Sequence, residues 1–183
     1  MDTDKVYTLF DPGSEETEFN NSRFENCNFL KTDHASYEFH DCIFNNCNFS
    51  LMPVDGCIFD NIVFEGCKLS GINFSRVNNF LFSVSFLDCI LDFTIFEKNN
   101  LKNSTFNKCS IREACFIESD LKSVKFKDCD LYRTLFERSN IEKADFTTSR
   151  NYFIDLDKNK VKGARFSLPE ASNLLLKYDI KIL

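Results

Sequence analysis

Nine cysteines are the residues in this chain with the most chemical potential: Cys27, Cys42, Cys47, Cys57, Cys67, Cys89, Cys109, Cys115 and Cys129. Thiols at this density could hold zinc, pair as disulfides or supply a nucleophile. Their spacing argues for none of these. There is no C-x-x-C pair, and the recurring separations are five, ten and twenty residues. The two histidines, His34 and His40, complete no Ser-His-Asp set, and no phosphate-binding loop is present. No catalytic residue, metal site or cofactor is therefore expected.

The separations belong to a longer pattern. A large apolar residue recurs every fifth position: Phe19, Phe24, Phe29, then Phe39 to Phe74, and, after a step of seven, Leu81 to Phe166. Of these thirty centres only His34 and Asn151 are misfits. A period of five matches neither the helical 3.6 nor the strand 2, so each repeat must combine a short extended segment with a turn. A second inward position lies two residues before each centre, and eight of the nine cysteines occupy it as compact apolar filler; Cys115 alone points outward. None of the sixty inward positions is charged, where a composition of 27% charged residues would give about sixteen. The two positions thus face a dry interior. Seventeen of the 22 Phe are centres, so the aromatic excess is core packing.

From Phe86 to Phe146 the centres alternate between Phe and Leu or Ile. That alternation requires an even number of sides with Phe on opposing ones. Four sides satisfy this, and thirty repeats at four per coil would give about 7–8 coils, an all-β solenoid roughly 36 Å long at the spacing of stacked strands.

Residues 1–16 read as an N-terminal cap, with Val6, Tyr7, Leu9 and Phe10 covering the first coil and a turn at Asp11-Pro12-Gly13-Ser14. Residues 17–166 are the repeat. Pro53 predicts a bulge within 51–56, and the gained residues predict a register slip at 75–80. Residues 167–183 follow another pattern: Ser167 and Glu170 form a capping-box motif with Pro169 in the first turn, starting a short helix, and Ile180-Lys181-Ile182 alternates as a strand. Leu168, Ala171, Leu174, Leu175, Tyr178, Ile180 and Ile182 give an apolar face that caps the last coil and suits a symmetric dimer.

An odd number of thiols and the acidic start Met1-Asp2-Thr3-Asp4-Lys5 point to a reducing cytoplasm. No run approaches the eighteen apolar residues of a membrane helix, so no membrane partner is expected. The net charge of −6 argues against direct nucleic-acid binding and is uneven. Residues 1–78 hold thirteen acids and five bases, net −8; residues 79–166 hold thirteen and fifteen, net +2; the tail is neutral.

With the repeats and the ending Asn151-Tyr152-Phe153-Ile154-Asp155 through Ala164-Arg165-Phe166-Ser167-Leu168-Pro169-Glu170-Ala171, the chain resembles the Qnr-type pentapeptide-repeat proteins, and most closely their albicidin-resistance branch. The resemblance implies a right-handed quadrilateral β-helix with a short C-terminal capping helix, paired tail to tail as a homodimer. It also implies binding to a type II topoisomerase, DNA gyrase or topoisomerase IV, by partial mimicry of DNA, and protection of that enzyme from inhibitors. The chain lacks the long projecting loops of the mobile quinolone-resistance members, which argues against quinolones as the inhibitor. Placed on this sequence, Asp41, Asp55, Asp60, Glu65, Arg76 and Asn78 are the candidate topoisomerase contacts, since acids steer toward basic surfaces and the breaks sit on a rigid scaffold. The alternative is a structural or regulatory scaffold for another cytoplasmic partner.

Overall fold

The computed structural model describes residues 5–11, 15–30 and 36–181. His34, Pro12 to Ser14 and Ile182 fall outside this set. Among the described residues the strands are β1 (Lys5–Tyr7), β2 (Glu18–Asn20), β3 (Ser22–Glu25), β4 (Glu38–His40), β5 (Ile43–Asn45), β6 (Ile58–Asp60), β7 (Ile62–Glu65), β8 (Val84–Leu87), β9 (Ile95–Glu97), β10 (Thr105–Asn107), β11 (Cys115–Ile117), β12 (Lys125–Lys127) and β13 (Leu135–Glu137).

Every ladder is parallel, and within each block partners stand twenty residues apart, as in Phe24 with Phe44 and Phe116 with Phe136; across the slip the separation is twenty-two, as in Phe64 with Phe86, and β1 lies seventeen residues from β3. Twenty residues are four repeats, so the solenoid has four sides. Face I carries β2-β4-β6, face II carries β1-β3-β5-β7-β8-β10-β12, and face IV carries β9-β11-β13. Face III is held by single bridges running from Asn28 through Asn48, Lys68, Ile90, Ser110 and Asp130 to Arg150. The seven strands of face II make about six turns, and beyond β12 that face continues as single bridges at Asp145 and Arg165.

From Phe86 onward, Phe columns fill the interior of faces II and IV and Leu or Ile columns that of faces I and III, whereas in the first coils Phe19, Phe39 and Phe59 line face I and Phe29 and Phe49 line face III. Rings stack along the axis, with Phe106 and Phe126 4.9 Å apart, and meet edge-on within a coil, with Phe106 and Phe116 6.0 Å apart at 90°. Both are favoured aromatic geometries. At most corners, the residue two after the centre takes a left-handed backbone, for instance Asn21, Asp41, Lys98, Lys108 and Glu118. Asn and Asp accept this readily, whereas Lys or Glu pay for it in strain. The coil ladder holds the conformation in place: Lys108 N donates to Lys127 O at 2.8 Å and Glu118 N to Glu137 O at 2.9 Å.

Four details of the sequence reading change. The slip is a 3₁₀ turn, Asn79–Leu81, after which Phe82 rather than Leu81 enters the core, and Asn79 stays outside. Asn151 takes a left-handed corner at φ 61°, and Tyr152 fills the centre in its place. Pro53 lengthens nothing, since Glu38 still pairs with Ile58 at a separation of twenty. Thr17, counted as inward, is exposed, and Asn159 and Ala164 are half-buried.

At the open ends, Tyr7 stacks on Phe24 at 4.7 Å and Phe10 lies against Phe29 at 4.1 Å, while Val6 and Leu9 remain exposed. The tail forms a helix α1 (Leu168–Ala171) and a 3₁₀ segment, Ser172–Tyr178. Asp179 then turns left-handed, and Ile180 and Lys181 form no strand.

Candidate interaction surfaces

The thiols are structural. Six of them, Cys27, Cys47, Cys67, Cys89, Cys109 and Cys129, stack in one column at the corner between faces II and III. Each donates from Sγ to backbone carbonyls of its own coil and the coil before, as Cys67 does to Phe44 O at 3.3 Å and Glu65 O at 3.4 Å. Burial pushes the Cys42 and Cys57 thiols up from the ordinary range, which keeps them protonated and unreactive. All nine are free thiols, and among the described residues no group of three or more His, Cys, Asp or Glu could hold a metal ion. Nor is any described helix long and apolar enough to cross a membrane.

The solenoid separates the candidate acids. Asp41 and Asp60 come together at the edge between faces I and II, where Asn61 Nδ2 donates to Asp41 Oδ1 at 2.6 Å and His40 Nδ1 lies 3.3 Å from Asp60 Oδ2. Glu65 sits one face away, with Asn45 Nδ2 donating to its Oε2 at 3.4 Å. Asp55 lies at the edge between faces IV and I, 3.5 Å from Arg76 Nη1. Asn78 is not a free contact residue, because its Oδ1 accepts Phe80 N at 3.0 Å and so caps the inserted turn. The residue this turn displays was missed in the sequence: Phe80 is 91% exposed. A gain of two residues signals an insertion but not which side chain crowns it.

The tail joins the solenoid through a polar chain rather than a capping box. Ser167 makes no side-chain cap bond. Glu170 Oε2 instead accepts Asn151 N at 2.8 Å and Asn173 Nδ2 at 3.0 Å. Asn151 Nδ2 in turn donates to Asp130 Oδ1 at 2.8 Å, and Arg112 Nη2 reaches Asp130 Oδ2 at 2.6 Å. Asp130 occupies an outward repeat position yet is buried. Lys177 Nζ binds Asp155 and, at 2.6 Å, Asp157. Those contacts hold both carboxyls below their usual range.

Of the expected interface residues, Leu174 is 6% exposed and plugs the last coil, Ala171 is half-buried, and Leu168, Leu175, Tyr178 and Ile180 face outward. Leu176, not among them, is exposed too and with Tyr132, Leu135 and Phe153 lines a groove of about 530 Å³ beside the tail.

A parallel four-sided ladder with a twenty-residue coil and a dry Phe-Cys interior defines a class of protein, and the sequence matches the family model for it. The pentapeptide repeat region model matches residues 17–79 and 79–166, and the chain belongs to that family. Among solved structures it is similar to a trypsin-treated variant of QnrB1, a plasmid-mediated fluoroquinolone resistance protein, at 21% identity over 98% of both chains with a TM-score of 0.52. A second trypsin-treated QnrB1 variant matches at 20% identity, a TM-score of 0.50 and the same 98% coverage of each. HetL, a pentapeptide repeat protein involved in heterocyst differentiation regulation in the cyanobacterium Nostoc, matches at 10% identity over 89% of this chain and 88% of its own, with a TM-score of 0.31. No curated protein matches the sequence.

Proposed function

We propose that the chain is a non-enzymatic, cytoplasmic protein that binds a type II DNA topoisomerase, gyrase foremost, and protects it from inhibitors, acting as a tail-to-tail homodimer. The observation that carries this reading is the placement of charge on a rigid rod. The first 78 residues are net −8, and Asp41, Asp55, Asp60 and Glu65 among them stand on three edges of the solenoid. Four coils of that block rise about 19 Å, where duplex DNA would carry roughly one negative charge per 1.7 Å, so the N-terminal block approaches the density of DNA and the C-terminal half does not. The acids act on steering and orientation toward a basic, DNA-gripping surface. The similarity to QnrB1 supports the fold on which this reading rests.

The test is addition of purified protein to gyrase supercoiling and drug-stabilised cleavage assays, with a quinolone and with albicidin as inhibitors. Altered supercoiling or rescue from either drug supports the reading; no effect on any of them overturns it. The near-neutral half and the apolar groove beside the tail favour a second reading, a scaffold for another protein. Direct binding of gyrase in a pull-down with defined components separates the two.

A further inference from the structure

Among the exposed apolar side chains of the described residues, which include Leu9, Leu51 and Phe93, Phe80 is the most exposed. Asn78 keeps the ordinary register, its amide donating to Cys57 O at 2.9 Å. The chain then makes the extra turn Asn79–Leu81 before β8 resumes. Three anchors fix this turn. Asn78 caps it, Asn99 Nδ2 donates to Asn79 Oδ1 at 2.6 Å, and Phe82 is buried against Phe74 with ring centroids 5.8 Å apart.

Between the anchors Phe80 is 91% exposed. It adds nothing to the core, because Phe82 fills the space that the slip creates. Closing an insertion needs no aromatic at its tip, and a polar residue would serve solubility better. Because the backbone of the turn is already fixed, binding through the ring costs no ordering of the loop, which favours an anchor residue. Its surroundings fix the sign of the partner: Asp60 lies on the coil before, and Asp55 with Arg76 on the adjoining edge, within a block of net charge −8.

We infer that Phe80 is the affinity anchor of the topoisomerase interface, entering an apolar pocket set in a basic protein surface, while the acids around it steer the approach. This rests on the topoisomerase reading and adds to it the residue that holds the complex together. The acidic surroundings disfavour nucleic acid or an anionic membrane as the occupant.

The test is binding of the full-length protein to immobilised gyrase holoenzyme, comparing wild type with Phe80→Ala, Phe80→Leu, Phe93→Ala and the pair Asp55→Asn with Asp60→Asn. Removing a ring that becomes fully buried weakens binding roughly 10- to 100-fold, chiefly through faster dissociation, with the salt dependence unchanged. Phe80→Leu falls between. The Asp pair slows association and flattens the salt dependence instead. Phe93, exposed on the edge between faces III and IV, serves as the control and leaves affinity unchanged. Thermal melting and light scattering of each variant report fold and mass. Wild-type affinity in Phe80→Ala, within about twofold, overturns the anchor while leaving the topoisomerase reading intact. So does a change of mass in Phe80→Ala, which would make Phe80 a self-association residue. Wild type that fails to bind gyrase at low salt overturns both.

Discussion

Asp130→Asn tests how the solenoid holds its tail. The native carboxylate is 5% exposed; its Oδ2 accepts Arg112 Nη2 at 2.6 Å, Arg112 Nε at 3.0 Å and Arg150 Nη2 at 3.4 Å. Its Oδ1 accepts Asn151 Nδ2 at 2.8 Å and Tyr132 N at 3.2 Å. Asparagine keeps the shape and the Oδ1 bonds but turns an amide NH2 toward two guanidinium groups. The charge-assisted contacts of two arginines, at about 1.5–3 kcal/mol for each arginine, are lost, reduced by about half because both arginines are more than half exposed, leaving about 1.5–3 kcal/mol. Burial alone would raise the Asp130 carboxyl, but the Asn151 amide and the Arg112 guanidinium outweigh it and hold it low. A carboxyl depressed in the folded state contributes stability that is present at neutral pH and lost as pH falls through its folded value. Urea unfolding of both proteins should therefore show the full gap at pH 7, narrowing as pH drops below the ordinary carboxylate value of about 3.9. A gap under about 0.5 kcal/mol at pH 7, the level of an ordinary surface substitution, or one unchanged down to acid, would refute the assignment.

Phe106 is fully buried between Phe86 and Phe126. Phe106→Ala should cost about 3–5 kcal/mol by chemical denaturation, and Phe106→Leu far less, since Leu already fills the neighbouring columns. Leu168→Asp with Leu175→Asp, two outward tail residues, should yield monomers without lowering the melting temperature; a variant still dimeric by light scattering contradicts the interface. In a native thiol titration only Cys115 should react, and slowly, because partial burial raises its thiol; the remaining eight should respond only after denaturation. Neutralising Asp41, Asp55, Asp60 and Glu65 together should weaken gyrase binding and flatten its salt dependence, and unchanged affinity at low salt would refute the steering role.

The interior was legible because it obeys a strict period. Phe centres, cysteine filler and an even number of sides follow from residue type and spacing, four being what the family resemblance implies, and the alternation from Phe86 to Phe146 correctly placed Phe on opposite faces. What escaped lies where the period competes with local backbone preference. Asn151 stands in register but accepts a left-handed corner more cheaply than Tyr152, so the tyrosine moves inward. Leu81 stands in register too, yet the 3₁₀ turn before it delivers Phe82 to the core. Ser167 and Glu170 have capping-box spacing, but Asn151 N offers Glu170 a better partner than the helix start does. Asp130 reads as a surface acid until Arg112, eighteen residues and so just under one coil earlier, folds over it. Of the candidate site, the acids were legible as charge, whereas their division among three edges and the display of Phe80 depend on which side chains anchor the turn.

The coil of twenty residues also makes distance a counted quantity. From Phe82 the same inner column passes through Leu101, Leu121 and Ile141 to Val161, four coil steps or roughly 19 Å along the axis. Each coil touches only its neighbours, so deleting or duplicating twenty residues within that stretch would move Phe80 relative to the tail by one step of about 4.8 Å without recutting the core. Two Phe80 rings in a tail-to-tail pair would shift by two such steps together. The span between them is thus adjustable only in whole increments, and chains of this kind can be fitted to partners of different width by changing coil number rather than surface.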